Sequence, residues 1–229
     1  KLTEKNRPFT RRAETIHHGV DVTLFERVLA GSPKIPNDLA GLSRPIIGYS
    51  GVIRYMVDLD LIETIARSRP EWSLVFVGPI DESAPSFYRR VEELKCLPSV
   101  HFVGPKPPEE IPLYLNAFDV CILPYVQSEL MTYYAVPLKF YEYLAAGKPV
   151  VWSIGQRPFP EHILINAQNP GEFEAAIDSA LTLCDTHHTD DRKKIARQNS
   201  WEHRITQISA ILQGVLDDQT RSGDFPLAR

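Results

Sequence analysis

The sequence has little of what marks several large classes of protein. Among 229 residues it has 3 cysteines, Cys96, Cys121 and Cys184. They are far apart, odd in number and without the spacing of a metal or redox motif. That excludes a disulfide framework and predicts small buried hydrophobes in a reducing compartment. A basic excess is also missing: 25 Lys and Arg stand against 29 Asp and Glu, a formal charge of −4, so nucleic acid is not an expected partner. No apolar run approaches the roughly 18 residues of a membrane span, and there is no signal-peptide pattern. A soluble, cytoplasmic protein is expected, with membrane contact only through some other part of a larger molecule. The adjacent pairs His17-His18 and His187-His188 point apart on a regular element, so no metal site is expected from them. There is no internal repeat or low-complexity tract. The chain starts at Lys1 and not at Met, which leads to the expectation of a piece cut from something longer.

What is present is a core. Hydrophobic residues make up 43% of the chain, and from Pro45 they fall into a regular alternation. IIGYSG (46–51) is a short apolar strand ending in small residues. DLDLIETIARS (58–68) carries apolar residues at Leu59, Leu61, Ile62, Ile65 and Ala66, the helical period. SLVFVGPI (73–80), VHFVG (100–104), VCILPY (120–125), PVVWSI (149–154) and the weaker HILIN (162–166) read as further strands. Helices near 86–94, 109–117, 137–146 and 172–183 separate them. Apolar runs without a polar face, alternating with amphipathic helices, predict a parallel sheet covered on both sides. The fold class is therefore α/β, a doubly wound Rossmann-like sheet of about six strands over residues 45–184. Residues 1–44 read as the tail of a preceding element and a linker, and 185–229 as C-terminal helices. In such sheets ligands bind beyond the carboxyl ends of the strands, at the topological switch point. Ser50-Gly51, Gly78-Pro79 and Gly104-Pro105 all fall on that edge.

The stretch PLKFYEYLAAGKPVV (137–151) organises the rest. Pro137 suits a first helical turn, Gly147 suits the helix end, and Pro149-Val150-Val151 begins a strand. The helix start offers free N–H groups, the positive end of the dipole and the charge of Lys139, which together suit a phosphate. Glu142 lies one turn on, toward the same face, where an acceptor-only carboxylate can bind the two hydroxyls of a ribose. The alternative is an ordinary surface i,i+3 ion pair over a core stripe of Leu138, Tyr141, Leu144 and Ala145.

Beyond the sheet, residues 190–216 read as helical with a break at Asn199-Ser200, where Ser200 can cap a second helix. Trp201, Ile205, Ile208, Ile211 and Leu212 form an apolar stripe without a place in the sheet, so it needs a surface to cover. Residues after Asp217 read as a frayed end.

With these motifs assembled, the chain resembles the C-terminal, donor-binding half of a GT-B fold glycosyltransferase of the family-4 (group 1) type. HHGVDVTLF resembles the segment joining the two halves. IIGYSG, VGP, VHFVGP, IPLYLNAFDVCILPY and PLKFYEYLAAGKPVV follow in the family's order, and NSWEHRI resembles the start of its closing helix. The resemblance covers roughly residues 15–216. It implies a hexosyltransferase that uses a UDP- or GDP-sugar donor in carbohydrate biosynthesis, retaining anomeric configuration. The acceptor would be held by an N-terminal domain outside this chain, without cofactor or protein-held metal.

Position by position, the resemblance gives Glu142 the ribose hydroxyls, and Leu138 and Lys139 the helix-start amides that meet the diphosphate. Val103, Gly104 and Pro105 would touch the base, with Gly78 on the same edge, and Gly51 and Val52 would approach the phosphates and sugar. The sequence departs from the pattern in two places. Tyr134 stands where the first glutamate of Glu-x7-Glu, which contacts the transferred sugar, is expected; Glu129 is a candidate replacement. Val52 stands where the family often has Arg, leaving Arg54 and Lys139 to supply the charge. No catalytic residue is assigned. Two rivals stay open: a nucleotide-sugar epimerase on the same fold, and a noncatalytic nucleotide-binding or regulatory subunit. A flavodoxin-like receiver would need acids after the first strand, where Ser50-Gly51-Val52 stand instead.

Overall fold

Strands β1 (Ile46–Ser50), β2 (Ser73–Val77), β3 (Val100–Gly104), β4 (Val120–Leu123), β5 (Val150–Trp152) and β6 (Leu164–Asn166) form one parallel sheet in the order β3-β2-β1-β4-β5-β6. The computed structural model describes residues 2–10, 13–127, 137–155, 159–183 and 186–222. Every residue of β1, β2, β4 and β5 is buried, which is why these strands read as continuous apolar runs: both faces are covered. Gly48 is required at the centre of β1. A methyl there would stand 2.0 Å from the ring of Phe118, itself fully buried against the strand.

The helices divide between the two faces as right-handed crossovers dictate. On one face lie α3 (Leu59–Ser68), α4 (Pro85–Leu94) and α7 (Pro170–Thr182), in mutual contact through α3. Arg69 pairs with Glu174 (2.6 Å) and Asp178, and Arg90 with Asp60 (2.7 Å) and Glu63 (2.6 Å), across these helices. On the other face lie α2 (Val22–Val28), α5 (Ile111–Ala117), α6 (Leu138–Ala145) and α8 (Thr186–Gln198). Short α1 (Leu2–Asn6) stands apart from the sheet at the start of the chain.

The last helix, α9 (Trp201–Ser222), begins where Ser200 Oγ accepts from His203 N at 3.2 Å. Its start is tied to the linker: Val20 N donates to Asn199 O (3.0 Å), and Trp201 N to Val20 O (3.2 Å). Beyond that tie its apolar residues Trp201, Ile205, Ile208, Leu212 and Leu216 are exposed.

Several expectations are corrected in detail. Cys121 is buried, and desolvation raises its thiol pKa, but Cys96 is exposed because it follows the last turn of α4 on the outer surface; Cys184 lies outside the described residues. Pro137 is the N-cap of α6 and not in its first turn, with an extended backbone (φ −60°, ψ 138°). Helix α7 starts at Pro170, two residues before Glu172, because Asn169 Oδ1 accepts from Glu172 N at 2.9 Å and caps it there. Helix α9 continues past Asp217 to Ser222. Of the adjacent pair His187-His188, His188 packs against the His162 ring at 4.8 Å while the His187 side chain is exposed, with Asp191 3.4 Å from His162 and 3.8 Å from His187.

Candidate functional site

The chain leaves β1 toward β2 and leaves β4 toward β5, so the crevice between the carboxyl ends of β1 and β4 is the switch point. Three glycines form the turns around it. Gly51 (φ +131°), Gly78 (φ +141°) and Gly104 (φ +74°) end β1, β2 and β3 in conformations that side chains rarely adopt. They stack: Gly51 N donates to Val77 O (2.8 Å), Gly78 N to Gly104 O (2.9 Å) and Ile53 N to Pro79 O (2.9 Å). The packing leaves no room for a side chain at Gly51 or Gly78, while Gly104 is held to glycine by its φ alone. A methyl on Gly78 would stand 2.2 Å from Gly51 O, and one on Gly51 would stand 2.5 Å from Lys139 Nζ. The loop residues assigned to the base, Val103 to Pro105, thus hang from the same stacked turns, with Pro105 exposed.

Lys139 enters from the start of α6. Its ammonium donates to Tyr49 Oη (2.9 Å) and Tyr125 Oη (3.0 Å) and lies 4.5 Å and 5.6 Å from the centres of the two rings. Tyr49 Oη in turn donates to Val52 O at 3.0 Å. Burial, with Tyr125 beside it, raises the Tyr49 phenol well above its usual pKa, so it keeps the proton it donates. Tyr143 Oη takes a hydrogen bond from Ser50 N (2.9 Å) and donates to Ser50 O (3.4 Å), fixing the last residue of β1 from beneath. These three phenols were missed at the sequence level because Tyr in a strand or on a core-facing helix reads as packing. Their only signal was position: Tyr49 and Tyr125 sit at strand exits on the ligand edge.

A cavity of about 190 Å³ opens here, lined by Tyr49, Val52, Arg54, Met56, Tyr125 and Lys139. Arg54, which also lies 5.9 Å from the centre of the Tyr55 ring, is thereby brought to the same cavity as Lys139. Beside them the α6 N-terminus has no side-chain cap, as those of α4 and α5 have none, while α3 is capped by Asp58 and α7 by Asn169. Leu138 is 38% exposed, so it belongs to the helix start and not to the core stripe of Phe140, Tyr141, Tyr143, Leu144 and Ala145.

Glu142 is half-buried one turn along. Desolvation raises its pKa, and nearby Lys139 opposes that rise. No ion pair joins Glu142 to Lys139 among the described residues, because Lys139 is turned to the two tyrosines. The simple i,i+3 surface pair is therefore not what this helix forms. Tyr134 and Glu129 lie outside the described residues.

One further group bears on the base loop. Lys106, next to Pro105, pairs with Asp38 of the linker at 2.7 Å, and Tyr114 Oη donates to the same carboxylate at 2.9 Å. Burial raises the Asp38 pKa, but the hydrogen bonds from Lys106 and Tyr114 outweigh it and hold the group below its usual value.

The arrangement can bind a diphosphate: two cations line one cavity, at the start of an uncapped helix and beside the turn at Gly51. Known proteins share the fold. The chain is similar to the sucrose-phosphate synthase of Thermosynechococcus elongatus, with a TM-score of 0.67 and 21% identity over 95% of this chain and 57% of that one. It is similar also to the Anabaena protein HepE, solved with UDP and glucose, with a TM-score of 0.64 and 18% identity over 87% of this chain and 56% of that one. The C-terminal domain of a group 1 glycosyl transferase, LpcC of Francisella tularensis, aligns with a TM-score of 0.51 and 19% identity over 82% of this chain and 97% of that domain.

By sequence, the chain is 31% identical over 206 residues to TuaH of Bacillus subtilis (strain 168), a candidate teichuronic acid biosynthesis glycosyltransferase. The alignment takes in 86% of this chain and 50% of TuaH, so the chain spans about half the length of that relative. Residues 44–182 match the family model for group 1 glycosyl transferases. On the strength of that match and of its six-stranded parallel sheet, the chain belongs to the group 1 glycosyl transferases and has the fold of the C-terminal half of a GT-B enzyme.

Proposed function

We propose that this chain is the donor-binding half of a hexosyltransferase that takes a UDP- or GDP-sugar and transfers the sugar with retention of configuration. The observation that carries the reading is the convergence of Lys139 and Arg54 on one cavity beside the uncapped start of α6. In this reading the amides of Leu138 and Lys139 and the two cations take the diphosphate. Gly51 and Val52 lie against the phosphates and sugar, Glu142 accepts from the ribose hydroxyls, and Val103, Gly104 and Pro105 meet the base with Gly78 supporting them. As the bond between the anomeric carbon and the diphosphate oxygen breaks, its electron pair stays on the diphosphate. The helix dipole, Lys139 and Arg54 stabilise that charge without a metal.

Residues 45–184 would form the donor-binding unit, 1–44 the tail and linker, and 185–229 the helices returning toward an N-terminal acceptor domain outside this chain. Cytoplasmic placement belongs to this reading; no helix among the described residues is long and apolar enough to cross a membrane. Support for UDP in particular comes from HepE, which was solved with UDP and glucose.

The test is a thermal-shift titration with UDP, GDP, ADP and their sugar conjugates, repeated on Glu142→Ala. Ligand at tenfold its dissociation constant adds about 1.4 kcal/mol, roughly 2–4 °C for a domain of this size. A shift with one nucleotide that is lost in the variant is expected. Silence toward every nucleotide at millimolar concentration would sink the donor-binding reading for the isolated chain.

A further inference from the structure

A second, larger cavity of about 430 Å³ lies on the α3–α7 side of the sheet edge. The loop from β1 to α3 separates it from the cavity at Lys139: Val57 pairs with Tyr125, and Val126 N donates to Met56 O at 2.8 Å. Tyr125 is the shared wall, since it lines both cavities.

The chemistry of its lining selects a ligand class. The floor is apolar, made by the buried Leu61, Ala167 and Phe173. Around it stand groups with unused hydrogen-bonding capacity. Asp58, which lines the cavity, accepts from Leu61 N through Oδ1 and makes no other side-chain hydrogen bond among the described residues. Gln127 spends one amide hydrogen on Gln168 O (2.8 Å) and keeps its carbonyl oxygen, while the side-chain amide of Gln168 makes no hydrogen bond among the described residues. Thr64 donates to Asp60 O at 2.8 Å and retains its lone pairs. No Lys, Arg or His lines the cavity among the described residues. Asp60 is paired with Arg90, which Glu63 and Glu93 also hold, and Asp58 has no cation partner among the described residues, so a phosphate or uronate would meet the Asp58 carboxylate with no cation to spare. A purely apolar ligand would strand the amides and Asp58. A ring with one C–H face and several hydroxyls satisfies both layers at once, and the volume lies inside the roughly 300–1,000 Å³ of small-ligand sites.

We propose that this cavity binds an uncharged sugar unit, with its C–H face on Leu61 and Phe173 and its hydroxyls on Asp58, Gln127 and Gln168. The inference stands whether or not a nucleotide occupies the neighbouring cavity, and its test reads the two separately. Where both are filled, Tyr125 is the point at which they meet, since its hydroxyl takes a hydrogen bond from Lys139.

The experiment is an amide-resolved NMR titration of the chain with methyl glucoside, with methyl N-acetylglucosaminide, with a glucose disaccharide and with glucuronate, on the unsubstituted protein and on Thr64→Trp and Gln168→Ala. Both positions are exposed, so the variants should keep a folded spectrum, and a UDP titration of each serves as control. The expected result is saturable shifts at Thr64, Gln127 and Gln168 with the neutral sugars, weakened about tenfold or more in both variants, as the loss of one hydrogen bond or the filling of the opening requires. Tighter binding of the disaccharide than of the methyl glycosides would identify a glycan chain as the source, and equal binding a free sugar; either supports the site. Absence of saturable shifts, glucuronate binding as well as the glucoside, or full binding by Thr64→Trp would each overturn the proposal.

Discussion

Replacing Gly78 by alanine separates backbone strain from steric overlap in the stacked turns. Gly78 sits at φ +141°, and an added methyl would meet Gly51 O at 2.2 Å and Gly51 C at 2.7 Å, backbone atoms that cannot swing aside. Gly104, at φ +74°, has nothing within 4 Å of the same methyl, so Gly104→Ala carries strain alone. An alanine held at φ +74°, near the left-handed helical region, costs about 1–2 kcal/mol, and the stiffer unfolded chain returns about 0.4–1 kcal/mol, leaving roughly 1 kcal/mol for Gly104→Ala; at φ +141° Gly78→Ala carries at least that strain. Overlap with fixed backbone adds about 1–3 kcal/mol, so Gly78→Ala should lose about 3 kcal/mol, roughly 6–12 °C in Tm. Gly51→Ala is the informative third case. Its methyl would meet Lys139 Nζ and Cε at 2.5 and 2.7 Å, the movable tip of a long side chain. Its stability loss should therefore fall between the other two, while the displaced ammonium weakens nucleotide binding. Urea midpoints of the three variants, followed by circular dichroism, give the ranking. Equal losses for Gly78→Ala and Gly104→Ala would refute the stacking argument.

Three further outcomes follow from particular groups. Glu142 has a folded-state pKa raised by burial. The unfolded chain therefore gives up this proton first as pH rises, and the carboxylate destabilises the fold above the unfolded value and has no effect below it. Glu142→Gln should accordingly be more stable than the parent at neutral pH and equal to it below about pH 4, while losing nucleotide affinity; a variant less stable at pH 7 would contradict the burial argument. Arg192 is fully buried and donates to His162 O (2.6 Å), Gly147 O (3.1 Å) and Leu183 O (2.7 Å). Arg192→Met should cost about 3–5 kcal/mol in chemical denaturation, because three carbonyl oxygens lose their donor. Ile205→Lys and Leu212→Lys, on the exposed face of α9, should each change stability by less than about 0.5 kcal/mol; a larger loss would mean that the face is packed within this chain.

Local sequence determined the elements. The strand runs, the helical periods and the glycines after β1, β2 and β3 were legible because a sheet buried on both faces imposes apolar runs, and a turn at positive φ imposes glycine. The stretch from Pro137 to Val151 carried the helix, its end and the next strand in adjacent residues, which is also why the family could be recognised there. The tertiary structure decided the partners. Nothing near Lys139 in sequence announces Tyr49, 90 positions away, or ties Arg192 to Gly147, 45 positions away. A phenol or guanidinium advertises its chemistry only once its burial and partners are known. The exposure of Cys96, the turn of Lys139 away from Glu142 and the cavity between α3 and α7 all arise from distances between elements, and single-element periodicity contains no such distances.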